Sequence, residues 1–306
     1  MAARALLITG ATGKQGGAVI NALLKANANF EILALTRNTQ SASAQRLLQK
    51  STSIKLVSGN LDKIDDVFKN AKSITKAPIW GVFSVQSPMG DGQTPQSEER
   101  QGKDLVDASL KYGIKTFVYS SVDRGGSKSD SSPTNIPHFI SKHNIEQHLF
   151  EKTKGASMSY TVLRPVAFFE NLAPGFIGKV FPSSWQMVLG KNKKLQLIAT
   201  SDIGFFGAEA FLKPDEYWNK KLSLAGDELT FDQFRDIFEK QTGGNLPMTF
   251  TLIAGVLNRM VKELGYMFKW FRDVGYGADI PTLKTMNPDL KDFKTWLATE
   301  SAWKKK

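Results

Sequence analysis

Short apolar runs, separated by longer stretches in which apolar residues recur every three or four positions, set the frame of this chain. Leu6 to Ile8, Phe30 to Leu35, Ile54 to Ser58, Pro78 to Val85 and Thr116 to Ser121 are the short runs. Their length and continuity are those of strands buried on both faces of a parallel sheet. Between them the period becomes helical. Ala18, Val19, Ile20, Ala22, Leu23 and Leu24 follow the first run; Ile64, Val67, Phe68 and Ala71 follow the third; Leu105, Val106, Ala108, Leu110 and Tyr112 follow the fourth. Strands alternating with helices at this spacing predict the α/β class, with a doubly wound parallel sheet. Right-handed crossovers then bring the C-terminal ends of all the strands to one rim.

Beyond residue 160 the strict alternation fades, which predicts a main domain over residues 1–160 and a smaller α/β C-terminal lobe over 161–306, some segments of which return to the main sheet. Asp202-Ile-Gly204 reads as the start of a returning helix, Lys221 to Leu224 as a short strand, and Thr230 to Lys240 as an amphipathic helix with Thr230 as N-cap. Met260, Leu264, Met267, Phe268 and Phe271 recur at helical spacing and read as lobe core, with a pocket or partner groove as the alternative. The apolar stretch from Thr249 to Phe271 is broken by Asn258, Arg259, Lys262 and Glu263 and is no membrane span.

The glycines sharpen the first strand and helix into a site. Gly10, Gly13 and Gly16 sit between the apolar run and the first helical stretch, inside Gly10-Ala11-Thr12-Gly13-Lys14-Gln15-Gly16-Gly17. In a strand–turn–helix unit such glycines allow a tight turn, close approach of backbone N–H groups to a phosphate, and close helix–strand packing. The helix N-terminus adds unpaired donors and a positive dipole end. In another context the same triplet is an ordinary loop; this context is the one that dinucleotide binding requires.

The end of the second strand bears on which dinucleotide. An Asp or Glu about 20 residues after the glycines marks NAD, whereas an Arg marks a 2′-phosphate. Between Glu31 and Asp62 the chain has no acidic residue, but it has Arg37, Arg46, Lys50 and Lys55. NADP(H) is therefore the expected cofactor, with Arg37 at the 2′-phosphate and Ser41 and Ser43 as further donors; the alternative for Arg37 is a solvent-facing loop arginine. Val85-Gln86-Ser87, at the end of the fourth strand, falls where ligands gather in open parallel sheets. Pro88 to Gln101 reads as a polar, turn-rich loop able to cover a cofactor.

Composition narrows the chemistry further. The 306 residues contain no cysteine, which excludes disulfides, thiolate metal sites and cysteine nucleophiles. A reducing, cytoplasmic or nuclear compartment fits, and the first strand begins too early to leave room for a leader. Forty Lys and Arg against 29 Asp and Glu give a net charge of +11, which favours anionic partners such as phosphorylated cofactors. The charges are dispersed rather than gathered into a stripe, so neither nucleic acid nor membrane is an expected partner. The terminal Lys304-Lys305-Lys306 reads as a solvated tail.

Short-chain dehydrogenases/reductases follow a fifth strand ending in serine with Tyr-x-x-x-Lys on the next helix. The corresponding segment here is Pro137-His138-Phe139-Ile140-Ser141-Lys142. Lys142 occupies the lysine position, His138 that of the tyrosine, and no tyrosine lies between Tyr119 and Tyr160. A histidine can transfer protons near neutral pH, so His138 and Lys142 are the candidate catalytic residues. In the alternative, His138 only caps the segment and Lys142 only grips the cofactor. His143 and His148 are off helical register with each other, and no metal site is expected.

The glycine segment, Thr36-Arg37-Asn38, His138-Phe-x-Ser-Lys142 with Ile145-Glu146, and Arg164-Pro-Val-Ala-Phe-Phe-Glu-Asn-Leu172 together resemble the NmrA-like family of atypical short-chain dehydrogenases/reductases. The resemblance implies a Rossmann domain with a smaller lobe. It implies that the glycine turn holds the pyrophosphate, that Arg37 faces the 2′-phosphate and that Lys142 reaches the nicotinamide ribose. It also sets Phe168, Phe169, Glu170 and Asn171 beside the nicotinamide, Asn60 and Leu61 near the adenine, and Arg100, in the loop before the long helix, over the cofactor. Asn60 departs from the acidic residue common in related folds. Two functions follow from the resemblance: a redox-sensing regulator that passes its NADP(H) state to a protein partner, or an NADPH-dependent reductase of a quinone, aldehyde or secondary-metabolite carbonyl or enone.

Overall fold

The structure is a computed structural model, and it describes residues 4–88, 90, 92–249 and 262–303. Met260 and the terminal lysine run lie outside the described residues. The chain divides into two compact units. The first comprises Met1–Ser121, Ser141–Arg164 and Ile203–Leu222, and the second Val122–Ile140, Pro165–Asp202 and Ser223–Lys306.

The alternation read from the sequence appears as β1 (Arg4–Ile8), α1 (Lys14–Lys25), β2 (Phe30–Thr36), α2 (Ala42–Leu48), β3 (Ile54–Ser58), α3 (Ile64–Ile74), β4 (Ile79–Ser84), α4 (Pro95–Lys111), β5 (Thr116–Ser120), α5 (Pro137–Thr153) and β6 (Ser159–Pro165). Among the described residues one sheet has seven strands in the order β3-β2-β1-β4-β5-β6-β9, where β9 is Lys220–Leu224. The pairings from β3 through β6 are all parallel. β1 pairs with both β2 and β4, so the strand order reverses there. That reversal opens a crevice at the carboxyl ends of the strands, the usual place for a ligand in open α/β sheets.

Ala5, Leu6, Leu7 and Ile8 are each fully buried, which explains why β1 reads as a continuous apolar run rather than an alternating one. In α7 (Thr200–Leu212), a Cβ at Gly204 would lie 2.5 Å from the Ala18 carbonyl carbon of α1. Only a hydrogen fits there, and the returning helix therefore closes on α1 at backbone distance.

The second half of the loop expected over Pro88 to Gln101 is helix, and this corrects the sequence reading there. α4 begins at Pro95, because the Thr94 side chain accepts from Ser97 N–H while the Ser97 hydroxyl accepts from Thr94 N–H, with proline at the first position. The polar composition of this turn hid a capping box. Arg100 consequently sits inside α4.

The second unit is built around rings. Trp185, Phe231, Phe234, Phe293 and Trp296 share one buried cluster with Phe268 and Phe271 of the helix Lys262–Asp273. A three-stranded sheet of β10 (Asp227–Leu229), β8 (Leu195–Ile198) and β7 (Ala167–Phe168) belongs to the same unit. The helix expected after Thr230 is α9 (Phe231–Thr242), capped by Thr230 and Gln233 and ended by Gly243 in the left-handed conformation.

Candidate functional site

The glycine turn is shaped as the sequence requires. Gly10 adopts φ +57°, a left-handed conformation that disfavours a side chain, and its carbonyl accepts from Gly13 N–H at 2.9 Å. A Cβ on Gly16 would lie 2.4 Å from the Gly10 oxygen, so the first turn of α1 folds back onto the loop. No side chain caps α1 at Gly13, which leaves that end of the helix to an anion rather than to an Asp or Ser of the chain. Ala11 is buried beneath the turn. The buried Thr9 hydroxyl accepts from Val85 N–H at 2.8 Å and lies within donating distance of the Phe83 and Val85 carbonyls, joining the end of β1 to the segment after β4.

Beside this turn lies a cavity of about 450 Å³, formed wholly within the first unit. Gly10, Thr12, Arg37, Asn60, Leu61, Val85, Gln86 and Ser87 line it, all of them residues singled out in the sequence. Ser41 and Ser43 also line it, with their hydroxyls 3.3 Å apart at the start of α2. Gly59 also lines it, together with Gln93 and Gln101 from the Pro88 to Gln101 segment expected to cover a cofactor. Gln101 could not be found by motif, because it reaches the cavity only through the early start of α4.

The rim at Asn60 is a hydrogen-bonded corner. Asn60 accepts from Asp62 N–H at 3.1 Å, Asp62 accepts from Gln101 at 2.9 Å and pairs with Arg100 at 2.5 Å, and Gln101 also bonds Gln93 at 3.0 Å. The Gln101 hydrogen bond, aided by the Arg100 guanidinium, holds the Asp62 carboxyl below the ordinary carboxylate range. Arg100 was expected in a loop over the cofactor. It projects instead from a helix and meets Asp62.

Of the other glycine-segment residues, Gln15 accepts from the Ser120 hydroxyl at 2.5 Å, linking α1 to the end of β5, and Lys14 begins α1. Lys142 is 8% exposed and its ammonium lies 3.0 Å from Glu98, a fully buried carboxylate of α4. Ser121 bonds Glu146, which also takes Arg164 in a two-pronged pair at 3.2 and 2.6 Å. These contacts lie within the first unit.

His138 and the Phe168–Asn171 segment belong to the second unit. The Glu263 carboxylate accepts from His138 backbone N–H at 3.0 Å and bonds Nδ1 of its ring, and that ring bond holds the Glu263 carboxyl below its ordinary range. Phe169 is fully buried against Phe293 and Trp296. Glu170 accepts from the Thr200 amide and hydroxyl at 2.9 and 2.7 Å, Phe168 is partly exposed, and Asn171 is exposed. His148 pairs with Asp107 at 2.9 Å. Among the described residues no three His, Cys, Asp or Glu gather as a metal site, and no helix is long and apolar enough to cross a membrane.

The arrangement is that of a dinucleotide crevice: a glycine turn, an uncapped helix end, a cationic second-strand terminus and a polar corner. Comparison with known proteins agrees. An NmrA-like family domain-containing oxidoreductase, ptmS, of Penicillium ochrochloron is 25% identical over 252 residues, 77% of this chain and 72% of its own length. The triphenylmethane reductase of Citrobacter sp., solved with NADP(H), shares the fold with a TM-score of 0.72 at 17% identity, over 96% of this chain and 98% of that one. NmrA, a negative transcriptional regulator solved with NAD, has a TM-score of 0.70 at 14% identity, over 98% of this chain and 96% of its own. Residues 3–297 match the model of the NmrA-like family, to which this chain therefore belongs.

Proposed function

We propose that this protein binds NADP(H) and acts as a cofactor-responsive regulator. The observation that carries the cofactor assignment is the cavity wall at the end of β2: Arg37, Ser41 and Ser43 line it and, among the described residues, no acidic side chain does. An acid there would accept from a 2′-hydroxyl and repel a 2′-phosphate; an arginine with two hydroxyls suits the phosphate. The glycine turn and the uncapped end of α1 fit a pyrophosphate, and Lys142 is the residue for the nicotinamide ribose.

The regulatory part of the reading follows from the missing phenol. Position 138 carries an imidazole, and the tyrosine that does come near Lys142, Tyr119, is fully buried with its ring centroid 5.9 Å from the ammonium. A phenol inside the core cannot deliver a proton to a substrate. Cofactor binding would instead act by population shift between two states of the protein, changing the surface offered to a protein partner.

A second reading is an NADPH-dependent reductase of a quinone, aldehyde or enone. It is favoured by relatives named oxidoreductases and by the His138–Glu263 pair, in which a carboxylate fixes the imidazole for proton transfer at its other nitrogen. Bound NADPH would supply the hydride. His138 or Lys142 would deliver the proton.

Loss of NADPH absorbance against a panel of quinones, aldehydes and enones separates the two. The regulator predicts tight NADPH binding with no turnover; turnover abolished by His138→Ala or Lys142→Ala would establish the reductase instead.

A further inference from the structure

Glu98 of α4 is a fully buried carboxylate that belongs to no motif of the chain. Its position is over-determined. The capping box at Thr94 starts α4, and Glu98 N–H makes a helical hydrogen bond to the Thr94 carbonyl at 2.9 Å. One turn further on, a Cβ at Gly102 would lie 2.4 Å from Ile145 Cδ1, so the Ile145 side chain of α5 packs directly on the α4 backbone. That approach brings one Glu98 oxygen to 3.0 Å from the Lys142 ammonium, while the other accepts from the Ser141 hydroxyl. With both oxygens engaged, the carboxylate cannot swing. Glu146, one turn beyond Lys142 on α5, is taken by Arg164 and Ser121.

We infer that Glu98 is the positioning residue for Lys142: it keeps a buried ammonium aimed so that the lysine can hold the nicotinamide ribose. The inference rests on the NADP(H) reading above. An ammonium has three N–H donors. Glu98 lies 3.0 Å from the ammonium as an ion-pair partner and supplies the counter-charge that a lysine buried this deeply requires. Removing the counter-charge weakens the cofactor grip although Glu98 itself touches no cofactor.

The test is NADPH titration of the full chain, followed by nicotinamide fluorescence, with thermal unfolding recorded beside it. Glu98→Gln and Lys142→Met should each weaken NADPH binding about ten- to hundredfold, the range for hydrogen bonds to charged groups. The double variant should bind no more weakly than Lys142→Met alone, because both changes remove one interaction. Glu98→Asp, which keeps the charge on a shorter arm, should recover part of the affinity, and it remains the measurable variant if Glu98→Gln does not fold.

A merely structural Glu98 would lower the melting temperature and leave NADPH affinity at the wild-type value, or multiply with Lys142→Met. Either result overturns the inference while leaving NADP(H) binding intact. Wild-type protein that binds no NADPH would overturn the proposed function and this inference with it.

Discussion

Helices of the first unit close on their neighbours over glycine, whereas the second unit fills its interior with rings. A Cβ at Gly204 would lie 2.5 Å from the Ala18 carbonyl carbon, and one at Gly102 would lie 2.4 Å from Ile145 Cδ1, so glycine admits a backbone at the first contact and a side chain at the second. In the second unit Phe234 stacks on Phe293 at 4.2 Å and meets Trp185 at 4.9 Å. Glycine contacts leave little freedom in where helices and strand ends lie, and they place polar groups at the rim of the sheet. Rings bury much apolar surface and tolerate several arrangements. The first unit thereby sets α7 on α1 at backbone distance, and the second carries aromatic bulk.

The largest expected effect tests the bulk. Phe234→Ala should lower the free energy of unfolding by about 3–5 kcal/mol, as for other large-to-small changes in aromatic cores. Urea unfolding measures it, and a loss under about 1 kcal/mol would mean the cluster repacks too easily to be the keystone of this unit.

The two units also set buried carboxylates against lysines differently. Glu98 faces one lysine, with Ser141 on its second oxygen. In the second unit Lys291 is shared by two acids, Asp202 at 3.2 Å and Glu300 at 3.4 Å. Burial, only partly offset by Lys291, pushes the Asp202 carboxyl up to about 6. A carboxyl raised in the folded state above its ordinary 3.8 contributes stability that is fully present below 3.8 and is lost as pH rises through about 6. The stability advantage of wild type over Asp202→Asn should accordingly shrink between pH 4 and 7, by on the order of 3 kcal/mol at most. Melting curves of both proteins across that range give the difference, and a constant difference would count against the shift.

This contrast also explains what the sequence could tell. The first unit was legible because each of its devices leaves a local trace: continuous apolar strands, glycines at fixed offsets, an acid-free stretch after β2. Glu98 and Gln101 left none, since their roles arise from the crossing of α4 with α5 and from where α4 starts. In the second unit Thr230 announced α9 by its capping box. The strands Ala167–Phe168 and Asp227–Leu229 are too short to show a period of two, and Phe169 reads equally well as a cofactor neighbour or as the core ring it is.

Cofactor choice gives the next effect in size. Arg37→Ala should remove about 1.5–3 kcal/mol of NADPH binding, about ten- to hundredfold, and leave NADH binding nearly unchanged. Competitive titration with the two dinucleotides reads the ratio directly. Equal loss for both would assign Arg37 to the common part of the cofactor or to the loop itself.

The smallest effect compares like with like. Thr94 begins α4 in the first unit and Thr230 begins α9 in the second, each through a capping box. Replacing either with alanine removes one side-chain acceptor and should cost about 1 kcal/mol of stability. The consequences beyond stability should differ. Fraying the first turn of α4 loosens the backbone at Glu98, whose amide bonds the Thr94 carbonyl, and through Glu98 it loosens Lys142. Thr94→Ala should therefore weaken NADPH binding by a few fold, at most about the tenfold that 1.4 kcal/mol represents. Thr230→Ala, with the same chemistry and a similar cost, should leave NADPH affinity at the wild-type value. Matched melting curves with unmatched NADPH affinities would confirm that one capping box serves the site and the other serves the fold. Equal affinities would mean that α4 holds Glu98 by its packing on α5 alone.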